Sequence, residues 1–183
     1  MPSRLTVVLV SLLVATPVTI FWLWLMILPK IVPIQCPKEC RCEDDGYYVN
    51  CSLSGLNSIP SVLPKHVRRL VLDRNNTRLF EKDNFVSKVL VELEIIEANF
   101  CNIKKIEVGA FSGLPKLTDV SMHGNQISEI IPGTFEKNCR LEYLHLANNL
   151  IEHLEVDVFY GLVNLDYIFL QGNKLQYFHP DTF

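Results

Sequence analysis

The stretch LTDVSMHGN at residues 117–125 recurs in outline as LEYLHLANN at 141–149 and LDYIFLQGN at 165–173. Each copy has apolar residues at its first, fourth and sixth positions and an asparagine at its ninth. Towards the N-terminus, LEIIEANFC at 93–101 and VRRLVLDRN at 67–75 follow the same outline. The ninth positions are separated by 26, 24, 24 and 24 residues, which indicates five copies of one structural repeat.

A second column of residues keeps the same phase. Ten residues after each ninth position stands a phenylalanine: Phe85, Phe111, Phe135, Phe159 and Phe183. The Leu-x-Leu alternation predicts a short strand with its apolar side chains facing inward, and we expect the phenylalanines to stack behind it as a spine. The ninth-position asparagine can satisfy backbone groups of the following loop. Because no repeat can bury its apolar face alone, the repeats should stack into a curved solenoid.

From residue 36 onwards the sequence resembles the extracellular branch of the leucine-rich-repeat family. This resemblance implies an α/β-type repeat solenoid, a horseshoe with short parallel strands on its concave face and an irregular convex side. The sequence departs from the pattern at Ala98 and Cys101, and it carries a two-residue insertion before Leu93. Cysteine is an accepted ninth-position residue, so we interpret Cys101 as a buried, unreactive thiol.

Three segments are predicted. Residues 1–35 contain an uncharged apolar run from Leu5 to Leu28 behind Arg4, which indicates export through a signal peptide or an uncleaved membrane anchor, with cleavage slightly favoured. Residues 36–64 form a cysteine-rich cap, and residues 65–183 form the five repeats. The sequence reaches Phe183 without a closing cap, so we expect a longer protein or a partner to cover that end.

Four closely spaced cysteines define the cap: Cys36, Cys40, Cys42 and Cys51. In an exported chain they should form disulfides, and their spacing permits three pairings. A zinc site is the alternative, but three cysteines crowd one arm of it. The resemblance implies the pairs Cys36–Cys42 and Cys40–Cys51. Cys139 has no obvious partner; we expect a half-buried thiol, or a bridge to another chain.

Two N-glycosylation patterns occur, Asn50-Cys51-Ser52 and Asn75-Asn76-Thr77. Asn75 is a ninth-position residue and should be buried, so Asn50 is the candidate site.

The outward positions of the strands should form the binding face. In repeats four and five they bring together Tyr143, His145, Tyr167 and Phe169, which we predict to bind a ligand, although strands favour aromatic residues in any case. His123 and His145 could form a metal or pH-sensing pair, but they lack a nearby carboxylate, and we predict no metal site.

A basic run, Lys65, Arg68 and Arg69, with Arg74 and Arg78 nearby, is a candidate site for sulfated polysaccharide. Asp73, Glu94 and Glu97 lie close enough to weaken its field. The net charge of −3 gives no electrostatic case for nucleic acid.

No glycine-rich phosphate loop, nucleophile elbow or metalloprotease motif occurs, so we predict neither catalysis nor a cofactor. The sequence predicts an extracellular module, secreted or at the cell surface, that binds a protein ligand or co-receptor. It resembles the ectodomains of cell-surface receptors and adhesion proteins, such as Toll-like and Slit-like proteins. The alternative is a structural matrix protein that binds collagen or sulfated glycosaminoglycan, similar to the small leucine-rich proteoglycans.

Overall fold

The computed structural model describes residues 35–182. The predicted signal or anchor segment and Phe183 lie outside the described residues. Between residues 35 and 182, no helix is long and apolar enough to cross a membrane.

Nine short strands occur in the described residues. In chain order they are β1 Arg41–Glu43, β2 Tyr48–Asn50, β3 Arg69–Val71, β4 Leu79–Phe80, β5 Ile95–Glu97, β6 Lys105–Ile106, β7 Asp119–Ser121, β8 Tyr143–His145 and β9 Tyr167–Phe169. Three-residue 3₁₀ helices span Asp44–Gly46, Val86–Lys88 and Pro180–Thr182. Seven strands form one sheet in the order β1-β2-β3-β5-β7-β8-β9, and β4 pairs with β6 behind it. Apart from the antiparallel β1–β2 pair, all neighbours are parallel, which confirms the predicted solenoid.

The sequence repeats lie in register across the sheet. Arg69 is paired with Ile95, Ile95 with Asp119, and Asp119 with Tyr143, which in turn is paired with Tyr167. Equivalent positions of successive repeats are therefore neighbours on adjacent strands, about 4.8 Å apart.

The inward positions form one continuous core. Leu70, Ile96, Val120 and Leu144, the fourth residues of their repeats, are at most 1% exposed. In repeat five the corresponding Ile168 is only partly buried, because β9 has a neighbouring strand on one side alone.

Behind the strands, the predicted phenylalanine spine is present in the described repeats. Phe111 lies between Phe85 and Phe135, with ring centroids 6.2 and 5.1 Å away. Phe80, which the repeat period did not single out, joins them 5.7 Å from Phe111. Phe159 packs against the core and is partly buried.

Each buried ninth-position asparagine ties two repeats together. Asn125 donates from its Nδ2 to the carbonyls of Ala98 (2.8 Å) and Met122 (2.9 Å). Its Oδ1 accepts from the backbone N–H groups of Cys101 (2.8 Å) and Ile103 (3.0 Å). One side chain thus satisfies four backbone groups that water cannot reach.

We call the column of ninth-position side chains the asparagine ladder. In repeat two, Cys101 occupies the place of the asparagine. It is fully buried, and its Sγ lies 3.0 Å from the Leu72 carbonyl oxygen, in the place an asparagine amide would occupy. Burial raises the pKa of the Cys101 thiol, which keeps it protonated and unreactive.

The expectation of a half-buried Cys139 is wrong, because its side chain is exposed. Cys139 lies two residues before the first leucine of its repeat, on the flank of the solenoid. The equivalent residues Pro115 and Val163 are exposed as well, so this column lies outside the core.

The cap does more than cover the first repeat. Its disulfides join Cys36 to Cys42 and Cys40 to Cys51, the pairing that the family resemblance implies. Its strand β2 also pairs in parallel with β3, with Val49 fully buried opposite Leu70. The sheet of the solenoid therefore begins inside the cap, which the sequence repeat did not reveal.

We predict that Asn125→Ala lowers the free energy of unfolding by about 2–4 kcal/mol, because two buried N–H groups and two carbonyls lose their partner. Chemical denaturation measures this loss. Gln126→Ala, at the next residue, is the matched control. The Gln126 side chain is exposed and donates only to Asn102, so the free energy of unfolding should change by no more than about 0.5 kcal/mol. Equal losses in the two variants would contradict the ladder.

The two free thiols should differ in reactivity. A disulfide reagent at mildly alkaline pH should modify Cys139 within minutes in the native protein and reach Cys101 only after denaturation, since burial excludes the reagent and disfavours the thiolate. Mass spectrometry of the labelled peptides measures both. Fast native labelling of Cys101 would show that the ladder opens at repeat two.

Candidate ligand-binding site on the concave face

The outward-facing side chains of β3, β5, β7, β8 and β9 form the concave face. Two of the positions that we expected to be open are covered. Val71 is 5% exposed and Ala147 is fully buried. The open part of the face lies towards β8 and β9.

The four residues predicted to bind a ligand are brought together there. The rings of Tyr143 and Tyr167 are stacked, with centroids 5.1 Å apart and an interplanar angle of 7°. His145 lies 5.0 Å from Phe169, whose ring is 6.5 Å from Tyr167. Tyr143, Tyr167 and Phe169 remain 39–52% exposed, so a partner can contact them.

The cluster continues along the sheet. His123 lies 5.1 Å from His145, and Phe100 meets His123 edge-on at 5.0 Å. We call these six residues, Phe100, His123, Tyr143, His145, Tyr167 and Phe169, the aromatic strip.

Sequence reasoning missed Phe100. It belongs to the column Arg74, Phe100, Gly124, Asn148 and Gly172, in which every residue has a positive φ. Glycine and asparagine are the usual residues in that conformation, and a phenylalanine there costs backbone strain. A phenylalanine at this position of the repeat was the sequence signal that could have identified Phe100. The Phe100 ring lies directly over Gly124, where a Cβ would collide with it.

The imidazole pair is part of the strip and does not form a metal-binding cluster. Between residues 35 and 182, no group of three or more potential metal ligands is found. Burial and the neighbouring His123 together lower the pKa of His145, burial having the larger effect. At neutral pH His145 therefore behaves as an uncharged aromatic surface.

A shallow hollow of about 300 Å³ adjoins the strip. Its walls include Ile95, Asp119, Tyr143, His145 and Phe169. The hollow is open to solvent, and the paired side chains of Arg69 and Glu97 also line it.

The basic run lies on and before β3, nearer the cap, and much of its charge is already paired. Arg68 lies 3.9 Å from Glu94, and Arg69 donates from Nε to Glu97 at 2.7 Å. Lys65 is exposed. The three residues predicted to bind polysaccharide are therefore near one another, but two of them have internal counterions.

The two glycosylation patterns also differ in structure. Asn75 is 5% exposed and serves the asparagine ladder. Asn50 is half-buried; its Nδ2 donates to the Tyr48 hydroxyl (3.3 Å) and its Oδ1 accepts from the Ser52 N–H (2.9 Å). Glycosylation of Asn50 stays a prediction.

Comparison with known proteins agrees with the repeat fold. A leucine-rich-repeat family model matches residues 91–151 and 139–183, about half of the chain. The chain belongs to the leucine-rich-repeat family. Its similar proteins include human Reticulon-4 receptor-like 2, 31% identical over 68% of this chain, and mouse Prolargin, 31% identical over 67%. Trophoblast glycoprotein of Macaca fascicularis is 29% identical over 57%.

Each of these matches spans 25–31% of the relative's own length. Among solved structures, the TLR13–ssRNA13 complex has a TM-score of 0.59 at 33% identity, over 63% of this chain and 16% of that one. Human 5T4, also called trophoblast glycoprotein, has a TM-score of 0.58 at 22% identity, over 79% and 66%, and shows the shared fold alone. The relatives and the paired cap cysteines identify this leucine-rich-repeat protein as extracellular, secreted or at the cell surface.

The imidazole contact yields a pH prediction. Replacing His123 by glutamine should raise the pKa of His145 towards its usual value, because a neighbouring group that becomes cationic is removed. His145 will then take up its proton at a higher pH than in the unchanged protein. Histidine ring resonances followed by NMR against pH measure this, and His153→Gln, at an exposed histidine on the convex side, is the control. A fall in the His145 pKa on replacing His123 would contradict the assigned contact.

Proposed function

We propose that this chain is the recognition module of an extracellular protein and that it binds a protein ligand or co-receptor through the aromatic strip. The observation that carries the proposal is the stacked, half-exposed pair Tyr143 and Tyr167, with His145 and Phe169 beside it. Aromatic rings lose much exposed apolar area when a partner covers them, and they are enriched at protein interfaces.

Burial in the core does not account for these rings. The inward residues of β8 and β9 already contact the core, so the strip adds apolar surface on the solvent side. In repeats two and three the same columns hold Ile95 and three polar residues, Glu97, Asp119 and Ser121. Polar residues thus suit these strand positions, and the change to aromatic residues in repeats four and five supports a binding role.

The strip is suited to binding rather than to catalysis. Ser121 is paired in register with His145, as a nucleophile is with its base, but the Ser121 hydroxyl donates to Asn99 Oδ1 at 2.8 Å. The His145 ring itself lies between those of His123 and Phe169, tilted to both. Neither group is oriented to activate the other.

A second candidate is the binding of sulfated glycosaminoglycan or collagen by a matrix protein. The similarity to Prolargin and the exposed Lys65 favour it. The ion pairs of Arg68 and Arg69 weigh against it, because a polyanion would have to displace Glu94 and Glu97.

The two candidates predict different losses in one experiment. The exported full chain, carrying an affinity tag, is used to capture biotinylated cell-surface proteins and, separately, heparin. Tyr143→Ala/Tyr167→Ala should reduce protein capture at least tenfold, since hot-spot aromatics each contribute about 2 kcal/mol or more. Lys65→Ala/Arg68→Ala, which leaves Arg69 unchanged because it lines the hollow beside Tyr143, should keep that capture within about threefold.

Tyr160→Ala is the matched control, since Tyr160 is 70% exposed on the convex side. Heparin capture that is lost only with the basic residues, without protein capture, would favour the matrix alternative. Protein capture that survives both sets of changes would place the site on another surface.

A further inference from the structure

Near the cap, two tyrosines of the concave face are each in contact with an arginine that is paired with a glutamate. Tyr47 and Tyr48 lie beside Arg68 and Arg69, and these lie beside acidic residues of the next repeat. The Arg68 guanidinium carbon is 5.1 Å from the centre of the Tyr47 ring, and its Nε is 3.9 Å from Glu94. The chain thus builds a sandwich of tyrosine, arginine and glutamate.

The adjacent column forms a second sandwich. Arg69 lies 5.7 Å from the centre of the Tyr48 ring and is paired with Glu97. In both cases the ring attracts the cation through its π face while a carboxylate balances the charge. Two sandwiches on adjacent residues show that the geometry of this sheet suits the combination.

At the other end of the sheet, two of the three components are present. Tyr143 and Tyr167 occupy the same strand column as Tyr48 and Arg69. Glu142 and Asp166 immediately precede them. These carboxylates and Asp119 act electrostatically on Tyr143, and after burial and Tyr167 they are the causes that raise the pKa of its hydroxyl.

No cation of the described residues contacts the tyrosines or their carboxylates at this end, and Arg69, which lines the hollow beside Tyr143, is already paired with Glu97. Within the described part of the chain, no arginine or lysine lies over either tyrosine ring, and neither Glu142 nor Asp166 forms an ion pair. Between Arg140 and Lys174 the chain contains five acidic residues and no arginine or lysine, and Lys174 itself lies 3.9 Å from Glu152. A partner that covered the strip with anionic or purely apolar groups would leave these carboxylates desolvated without compensation.

We infer that the partner of the aromatic strip is a protein segment that presents an arginine, which stacks on the Tyr143–Tyr167 pair and is neutralised by Glu142 and Asp166. Arginine suits the place better than lysine, because its planar, weakly hydrated guanidinium stacks on aromatic rings and forms paired hydrogen bonds with carboxylates. The inference rests on the proposed function and specifies the chemistry of its ligand.

Short peptides test the chemistry directly. The full chain is immobilised on a biosensor and exposed in turn to three acetylated tetrapeptides, tetra-arginine, tetra-lysine and tetra-citrulline. Citrulline is a neutral isostere of arginine. Binding should rank arginine above lysine above citrulline. It should weaken at least fivefold in Glu142→Gln/Asp166→Asn, because an exposed cation–π or charge contact accounts for about that factor.

The rings are tested by two variants that preserve the charge. Tyr143→Phe/Tyr167→Phe keeps the π faces and should bind the arginine peptide within about twofold of the unchanged chain, whereas Tyr143→Leu/Tyr167→Leu should lose at least fivefold. Glu155→Gln, at an exposed acid outside the strand columns, is the control for net charge. Thermal unfolding checks each variant; if the leucine pair does not fold, the phenylalanine and amide variants decide.

The outcomes separate this inference from the proposed function. Equal binding of arginine and citrulline peptides, equal loss in Glu155→Gln, or preferential binding of a heparin oligosaccharide to the tyrosines would overturn the arginine assignment. If protein capture from cell surfaces still depended on the tyrosines, the proposed function would stand. If the arginine peptide bound as predicted but protein capture did not depend on the tyrosines, both the proposed function and the assignment of its ligand would be overturned.

Discussion

Every turn of this solenoid leaves backbone groups at the end of its strand that water cannot reach, and the structure depends on satisfying them. Asn125 satisfies four of them with one amide. Asn75 and Asn149 occupy the equivalent places in their own repeats. Because each amide bridges two repeats, the ladder sets their spacing and so brings equivalent strand residues into register. The aromatic strip is a consequence, since the columns align only if the repeats do.

The same constraint explains what could be read from the sequence. The inward positions, the phenylalanine spine and the columns of outward residues follow from period and alternation, and the structure confirms them at Leu144, Phe111 and the Tyr143–Tyr167 pair. Such predictions are strong in a repeat protein, because the same residue pattern occurs in five successive repeats.

Features outside the repeat could not be read in this way. Strand β2 lies in the cap, where a single Tyr-Val-Asn segment carries no periodic signal. Phe100 sits in a left-handed position that favours glycine or asparagine, so its place in the strip depends on its stacking over Gly124. The exposure of Cys139 was misjudged because a column on the flank of the solenoid has no alternation to show which way it faces.

The concave face has different chemistry at its two ends. Near the cap, arginines are compensated within the chain by tyrosines and glutamates. Near β9, no arginine or lysine of the described residues lies over the tyrosine rings or forms an ion pair with Glu142 or Asp166. A surface whose charges are internally paired contributes little to the choice of partner, whereas unpaired charge beside exposed rings favours a partner of matching chemistry. This difference is why we place recognition in repeats four and five.

Hydrogen exchange of the full chain with and without its captured protein partner tests that placement most directly. The account predicts slower exchange at β8 and β9 and at the loop that contains Phe100, with the convex segments and the cap unchanged. Protection confined to the convex side, or to the basic run around Arg68 and Arg69, would contradict it.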